Sequence, residues 1–269
     1  MTGGYHPQLW DLTAGQLLRA LPVTGFQGHF AAWAVALTPD GRRAIASYSD
    51  QSVRVWDTAS GAEVFRWQAE GVATGMAATG DRVLIGNQWR RLLLLFDVAT
   101  GAELFRAKTR TSGTATVAIS DDGQFGLSGG GDKKVRLWDL SAGRQVAELA
   151  GHTGRVHCLR FGPSGTTAVS CGSDKTVRVW DLTNGRELKS FSGHPRIVDC
   201  VAFAPDGQSV ASGGRDLTVR VWHLTDGREQ CFHGHGTNLT TVAYRLDSRT
   251  LVSVGCQDVW TWDLTAPPD

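Results

Sequence analysis

The sequence lacks any apolar run long enough to cross a membrane as a helix. Apolar runs such as Leu92–Phe96 have strand length, well short of the roughly 20 residues that a spanning helix needs. The first residues, MTGGYHPQLW, show neither the basic region nor the apolar region of a secretory signal. We therefore expect no membrane contact and a cytoplasmic location.

The chain also has few cysteines and almost no net charge. The chain has 5 cysteines at loose spacing, and an odd number does not fit a closed set of disulfides, so reduced thiols are the simpler interpretation. The 27 basic and 26 acidic residues leave a formal net charge of +1. A balance this even gives no support to a broadly basic nucleic-acid surface, and we expect no nucleic-acid partner.

Glycine and tryptophan are abundant, with 33 and 10 of the 269 residues against 8 prolines. Trp-Asp or a close variant recurs at intervals of 40 to 46 residues, and a glycine follows five residues after the aromatic residue in the first six copies. Such a period predicts a repeat architecture. The seven copies are Trp10-Asp11, Trp56-Asp57, Phe96-Asp97, Trp138-Asp139, Trp180-Asp181, Trp222-His223 and Trp262-Asp263.

Within each repeat the residue pattern is that of short strands joined by tight turns. Polar and apolar residues alternate before the aromatic residue, as in Ser52–Trp56 and Thr176–Trp180, which predicts strands with one buried face. Turn-forming triplets such as Pro39-Asp40-Gly41 and Pro205-Asp206-Gly207 separate two further strands. Four strands in each repeat of about 42 residues predict an all-β, radially repeated fold.

Gly-His dipeptides complete the pattern, and they are Gly28-His29, Gly151-His152, Gly193-His194 and Gly234-His235. With Gly-His at one end of the repeat and Trp-Asp at the other, the sequence resembles the WD-repeat β-propellers over essentially the whole chain. The resemblance implies an all-β β-propeller of four-stranded antiparallel blades. We expect one domain over 1–269, with a partial repeat at 1–28 and further repeats at 29–71, 72–110, 111–151, 152–193, 194–234 and 235–269.

The number of blades has two interpretations. The seven signatures favour seven blade positions, in which the first blade has two strands and the last has three. In the alternative, Gln16–Ala20 completes the last repeat, which gives six blades and leaves Tyr5–Leu12 over. An incomplete first blade would expose sheet edges. We therefore expect a longer natural chain or a larger multidomain protein, and a monomer unless an open edge pairs.

The family resemblance implies a buried hydrogen-bonded tetrad in each regular repeat. An indole N–H needs an acceptor when it is buried, and a serine hydroxyl can accept it and pass a hydrogen bond on to a histidine held by an aspartate. Two repeats match fully: His152, Ser170, Asp174, Trp180; and His194, Ser212, Asp216, Trp222.

The other repeats depart from this pattern. Arg110 replaces the histidine, Ala46 replaces the serine, and Arg90 replaces the aspartate of the repeat that ends at Phe96. The last repeat keeps its histidine, serine and tryptophan, but its hairpin is shortened around Asp258. Since the tetrad recurs at the same place, we interpret its Ser, His and Asp as a structural device rather than as a catalytic triad.

Two further motifs invite a ligand interpretation. Cys231, His233 and His235 have residue types that bind zinc, but His235 belongs to a Gly-His turn. Gly129–Lys134 resembles a phosphate loop but lacks the required spacing, and it aligns with turns of other repeats. We expect no metal and no cofactor.

Arginines occur in two notable contexts. Trp89, Arg90 and Arg91 lie in the most degenerate repeat, and they are either a partner interface, which favours such residues, or the result of sequence drift. Four further arginines recur on strands, and their repetition indicates structural surface positions: Arg54, Arg136, Arg178 and Arg220.

The resemblance implies a non-catalytic scaffold or adaptor that binds a protein or peptide, with no catalytic residues. One alternative is a sensor or docking propeller that belongs to a larger protein, for example one linked to a kinase. Another is an enzyme with its site in the central channel, but we find no carboxylate cluster and no cofactor motif in the sequence that would support it. Besides Trp89, Arg90 and Arg91, the residues expected to be exposed on the face of the Gly-His loops are Phe30, Tyr48, Arg155, Lys175, Arg196, Arg215, Asn238 and Trp260.

The tetrad assignment predicts that Asp174→Ala destabilises the protein. The substitution leaves a buried donor unpaired, which costs about 1–3 kcal/mol of unfolding free energy. Thermal or denaturant unfolding of the variant beside the wild type measures the loss. An unchanged unfolding midpoint would show that Asp174 has no such role.

Overall fold

Every regular element in the described part of the chain is a β-strand. The computed structural model describes residues 6–11, 16–24, 32–87, 89–109 and 114–265, with the side chains of Thr114 and Ala115 left aside. Of the residues considered above, Phe30, Arg110, the Gly28-His29 dipeptide, Tyr5 and Leu12 lie outside this part. Across the described ranges, no helix of the length and apolarity needed to cross a membrane is found.

Five of the sheets in these residues have four antiparallel strands in sequential order. Their strands are β3 (Ala32–Leu37), β4 (Arg43–Tyr48), β5 (Ser52–Asp57), β6 (Glu63–Gln68); β7 (Ala73–Thr79), β8 (Arg82–Asn87), β9 (Leu92–Asp97), β10 (Glu103–Lys108); β11 (Thr114–Ile119), β12 (Phe125–Gly130), β13 (Lys134–Asp139), β14 (Arg144–Ala150); β15 (Val156–Phe161), β16 (Thr167–Gly172), β17 (Val177–Asp181), β18 (Arg186–Phe191); and β19 (Val198–Phe203), β20 (Ser209–Gly214), β21 (Val219–His223), β22 (Glu229–Phe232).

The two ends of the described chain form smaller sheets. The strands β1 (Gln8–Asp11) and β2 (Gln16–Ala20) pair with each other, with Trp10 opposite Leu17. At the other end, β23 (Leu239–Tyr244), β24 (Thr250–Gly255) and β25 (Val259–Asp263) form a three-stranded sheet. These are the strand numbers expected of the first and last of seven blade positions, while the blade count itself stays a prediction.

The chain divides into two compact units, and in each the sheets pack face to face. The first unit comprises Met1–Gly126 with Asp139–Arg144, and the second comprises Leu127–Trp138 with Gln145–Asp269. In the first unit, Ile45 and Val55 of one sheet join Ile85 and Leu94 of the next in one buried cluster. The alternating residues of neighbouring strands thus bury one face of each sheet against the next.

The second unit repeats this packing. A buried cluster joins Val169 and Val179 of the sheet β15–β18 with Val201 and Val210 of the sheet β19–β22. The tight turns before the second strands are held by glycines in the left-handed region, such as Gly165 at φ 70° and Gly207 at φ 71°. Packing and turns therefore follow the repeat seen in the sequence.

Two glycines with nearly the same backbone conformation allow a test of this packing. Gly41 and Gly101 have φ of 69° and 67°, but a Cβ at Gly41 would meet nothing within 4 Å, whereas one at Gly101 would overlap the Phe65 ring. Alanine at either position takes on the left-handed strain of about 1–2 kcal/mol. Gly101→Ala also overpacks the contact with Phe65, which lowers the free energy of unfolding by about 1–3 kcal/mol more.

Denaturant unfolding of Gly41→Ala and Gly101→Ala beside the wild type measures the two costs. The Gly41 variant serves as the control, since it carries the strain without the steric overlap. Equal losses of stability in both variants would contradict the contact between Gly101 and Phe65.

Candidate functional site

The first complete tetrad lies in the sheet β15–β18. The indole Nε1–H of Trp180 donates to Ser170 Oγ at 2.8 Å, and Ser170 Oγ lies 2.8 Å from His152 Nε2. His152 Nδ1 lies 2.8 Å from Asp174 Oδ2. One proton arrangement satisfies every contact, with the serine hydroxyl donating to Nε2 and Nδ1–H donating to the carboxylate.

The neighbouring sheet β19–β22 carries the same network. His194 lies 2.7 Å from Asp216 Oδ2 through Nδ1 and 2.8 Å from Ser212 Oγ through Nε2, and Trp222 donates to Ser212 at 2.8 Å. The repetition of nearly identical distances supports a structural role, because a fully paired buried network fixes the strands that supply it.

A third complete tetrad lies in the last sheet. There the sequence pattern matched the histidine, the serine and the tryptophan, but not the position of the aspartate. His235 Nδ1 lies 2.8 Å from Asp258 Oδ1, His235 Nε2 lies 2.6 Å from Ser253 Oγ, and Trp262 donates to Ser253 at 2.7 Å. The hairpin β24–β25 is one residue shorter between serine and tryptophan than in the regular repeats. It nevertheless brings Asp258 to the histidine.

The incomplete repeats differ in how they satisfy the buried indole. Trp138 still donates to Ser128 at 2.9 Å. Trp56, which faces Ala46 in place of a serine, donates to the carbonyl oxygen of Pro22 at 2.9 Å. Phe96 has no N–H to satisfy, so the loss of the other tetrad members in its repeat leaves no indole donor unpaired.

Two of the four recurring strand arginines are buried rather than on the surface, which corrects the expectation from the sequence for Arg54 and Arg136. Arg54 is 1% exposed, and its guanidinium lies 3.6 Å from Asp50 and 3.4 Å from Glu63. Arg136 is buried between Asp132 at 2.6 Å and Glu148 at 3.1 Å. Arg178 and Arg220 are partly buried and pair with Glu187 and Glu229. Each arginine meets a carboxylate on the next strand, which offsets the cost of burying its charge.

Tyr48 also corrects an expectation, because it is buried rather than exposed. It ends β4 and packs edge-on against Trp56, with ring centroids 6.4 Å apart, while the Arg54 guanidinium lies 5.5 Å from its ring centroid. Burial raises the pKa of its hydroxyl well above the ordinary value. Tyr48 is therefore part of the core and not a partner-binding residue.

The other expected contact residues have different degrees of exposure. Trp260 is 41% exposed, but its ring stacks on Trp262 with centroids 5.4 Å apart, so it also covers the third tetrad. Arg155 is half-buried. The exposed residues of the set are Lys175, Arg196, Arg215, Asn238, Trp89, Arg90 and Arg91.

Three of these exposed residues lie around one depression in the second unit. Arg196, Arg215 and Asn238 line a volume of about 480 Å³ together with Pro195, Asp216 and Leu217. The loop before β19 and the β20–β21 turn supply most of the lining, and Asn238 comes from the loop before β23. We call it the Arg196–Arg215 depression.

A chain of polar contacts leads into this depression, and the sequence analysis did not predict it. Ser173 Oγ lies 2.7 Å from His157 Nε2, and His157 Nδ1 lies 3.3 Å from Asp199 Oδ1. Asp199 Oδ2 accepts a hydrogen bond from Arg215 Nε at 3.0 Å. Burial lowers the pKa of His157, which Asp199 partly opposes. The chain holds Arg215 in one orientation.

Two exposed tryptophans meet on the first unit. Trp33 and Trp89 are 50% and 60% exposed, and their rings contact edge-to-face with centroids 5.8 Å apart. Asn87 Oδ1 accepts hydrogen bonds from the backbone N–H groups of Trp89 and Arg90, at 3.1 Å and 3.0 Å, which orders the turn. Arg90 and Arg91 are exposed beside the pair.

Trp33 is the residue of this pair that the sequence analysis missed. It is the second residue of β3, as His157 is of β15 and Asp199 is of β19. Trp89 lies in the turn between the second and third strands of its sheet, as Ser173 and Arg215 do. Aligning the repeats at these two positions would have singled out Trp33.

The two candidate ligand motifs lead to ordinary structural contacts. Cys231 Sγ lies 3.5 Å from His233 Nε2, while His235 belongs to the third tetrad. Over the described ranges, no group of three or more His, Cys, Asp or Glu residues is arranged to hold a metal. In the glycine-rich segment, Lys133 has a φ of 69°, close to the 67° of Lys175 in the matching turn.

Comparison with known families identifies the repeat. The family model described as WD domain, G-beta repeat matches residues 20–57, 107–139, 143–181 and 185–223, together more than half of the chain. The chain belongs to the WD-repeat family. A search of curated proteins gives no match to it.

The matched WD repeats fit the geometry above. They include both tetrads found from the sequence, whereas the repeat that ends at Phe96 lies outside the matched residues. The last WD repeat also lies outside the matched residues, although its tetrad is complete. WD repeats generally mediate protein–protein interaction.

Protonation of His194 is expected to weaken this WD-repeat frame. Burial lowers the pKa of His194 below its ordinary value of 6.5, with the Asp216 carboxylate opposing the shift. The unfolded chain therefore binds more protons as the pH falls below about 6.5, and stability decreases through that range. In His194→Gln this contribution is absent, so the variant loses less stability than the wild type between about pH 7.5 and about pH 5.5.

Unfolding midpoints of both proteins at the two pH values measure the difference. His233→Gln is the control, because His233 is exposed and its substitution changes no residue of the three tetrads. Parallel pH profiles for the wild type and His194→Gln would refute the assignment of this proton.

Proposed function

We propose that this WD-repeat chain is a non-catalytic scaffold that binds a protein or peptide partner through the surface formed by Trp33, Trp89, Arg90 and Arg91. The observation that carries the proposal is the contact between two half-exposed indole rings. Tryptophan and arginine are enriched among the residues that dominate the binding energy of protein interfaces, and exposed apolar patches mark interaction sites.

The order of this turn supports an interface rather than drift. Asn87 fixes the backbone of Trp89 and Arg90, and its amide Nδ2 donates to the Glu70 carbonyl oxygen at 2.5 Å. Arg91 holds a φ of 57°, close to that of the matching residue in the regular repeats. The turn has thus kept its conformation while its exposed side chains changed, as expected of a binding position on a repeated frame.

We also propose a cytoplasmic location for this scaffold. The five cysteines are free thiols, and three of them are buried, which suits a reducing compartment.

A double substitution, Trp33→Ala with Trp89→Ala, tests the scaffold function. Removing two aromatic anchors is expected to weaken partner binding at least about tenfold. Quantitative affinity capture is carried out with the wild type, the double variant and Trp10→Ala. It identifies proteins that the wild type and Trp10→Ala capture but the double variant does not. Trp10 is an exposed tryptophan on β1, and it controls for the general loss of an indole.

Unfolding measurements on all three proteins establish that the frame is intact. The proposal predicts a small set of captured proteins that depend on Trp33 and Trp89 but not on Trp10. Equal capture by the three folded proteins would overturn it.

A further inference from the structure

The Arg196–Arg215 depression presents one arginine without an ion-pair partner among the described residues, and a second that is paired along one edge of its guanidinium. Arg196 is exposed and forms no ion pair with the residues that the structure describes. Arg215 faces Asp199 through Nε at 3.0 Å and Nη2 at 3.5 Å. This side-on pair leaves the Nη1 edge of the guanidinium available to a ligand.

The acidic residue in the lining is withdrawn from the surface. The Asp216 side chain is 4% exposed and lies 2.7 Å from His194 Nδ1 within its tetrad. Asp216 also accepts a hydrogen bond from the Thr218 backbone N–H at 3.3 Å, and Arg220 Nε lies 4.0 Å from its carboxylate. A ligand in the depression therefore meets two arginines and the amide of Asn238, and little of the Asp216 carboxylate.

Arg215 is also held in place before any ligand arrives. The contacts from Ser173 through His157 and Asp199 fix Arg215, which removes part of the entropy cost of ordering a long side chain. Leu217, with a φ of 67°, supplies an apolar wall of the depression. A pre-oriented guanidinium matches the planar geometry of a carboxylate.

A further cation lies at the matching turn of the adjacent sheet. Lys175 is exposed and has the same backbone conformation as Leu217, with φ of 67° at both residues. An extended segment with several carboxylates thus finds more than one cation in this unit, whereas a single anion uses only the depression.

We propose that the Arg196–Arg215 depression binds carboxylate side chains of an acidic segment in a protein partner. The inference rests on the proposed scaffold function and adds the chemistry of the partner and a second contact site. It concerns residues of the second unit only, so it can fail while binding through Trp33 and Trp89 remains.

Fluorescence anisotropy with labelled heptapeptides tests the proposal on the full chain. A peptide of seven glutamates should bind, more weakly as salt is raised, whereas peptides of seven glutamines and seven lysines should not. Arg196→Gln and Arg215→Gln should each weaken glutamate-peptide binding about tenfold, and Arg196→Lys should retain most of it.

The matched control is Arg186→Gln, which removes one exposed positive charge from β18, the last strand of its sheet. It should leave binding unchanged.

The proposal is overturned if the wild type binds the glutamate and glutamine peptides equally, or if all three arginine-to-glutamine variants lose the same affinity, which would indicate general charge attraction. If glutamate binding fails while Trp33- and Trp89-dependent capture persists, only this inference falls; if both fail, the scaffold function falls too.

Discussion

The hydrogen-bonding requirement of a buried indole N–H sets the frame of this protein. A polar group removed from water generally needs a partner, and five of the Trp-Asp tryptophans donate their indole N–H to an oxygen within the protein: Trp56, Trp138, Trp180, Trp222 and Trp262. The regular repeats use a serine that is itself tied to a histidine and an aspartate. Trp56 uses the Pro22 carbonyl oxygen instead, and Phe96 removes the requirement together with the N–H. The solutions differ, but the constraint is the same.

Because the strand and turn pattern recurs in repeats with and without a complete tetrad, other positions of the repeat are free to change. Two of them stand out: the second residue of the first strand, and the turn between the second and third strands. One repeat and its neighbour place Trp33 against Trp89 there, while others place His157 beside Ser173 and Asp199 beside Arg215. The first arrangement is apolar and exposed, and the others form a polar chain. Different chemistry is thus carried on one backbone pattern.

The sequence predicted best where the repeat is regular. Strand alternation and the Trp-Asp spacing predicted the four-stranded sheets, and the two repeats with every signature residue have the expected tetrad contacts. Prediction was incomplete at Asp258, because a one-residue deletion in the hairpin obscures its alignment while the backbone still brings the carboxylate to His235. It was wrong for Tyr48 and Arg54, since alternation tells which residues share a face but not what covers that face.

By itself, the sequence determined the family, the strand pattern and the residues that pair inside a regular repeat, because these depend on local spacing within about 42 residues. Only the tertiary structure decided which side chains from different repeats meet. The contact of Trp33 with Trp89, the chain from His157 to Arg215 and the lining of the Arg196–Arg215 depression all join residues from neighbouring sheets. Such contacts depend on how far one sheet is displaced against the next, and side-chain packing sets that displacement rather than the period of the repeat.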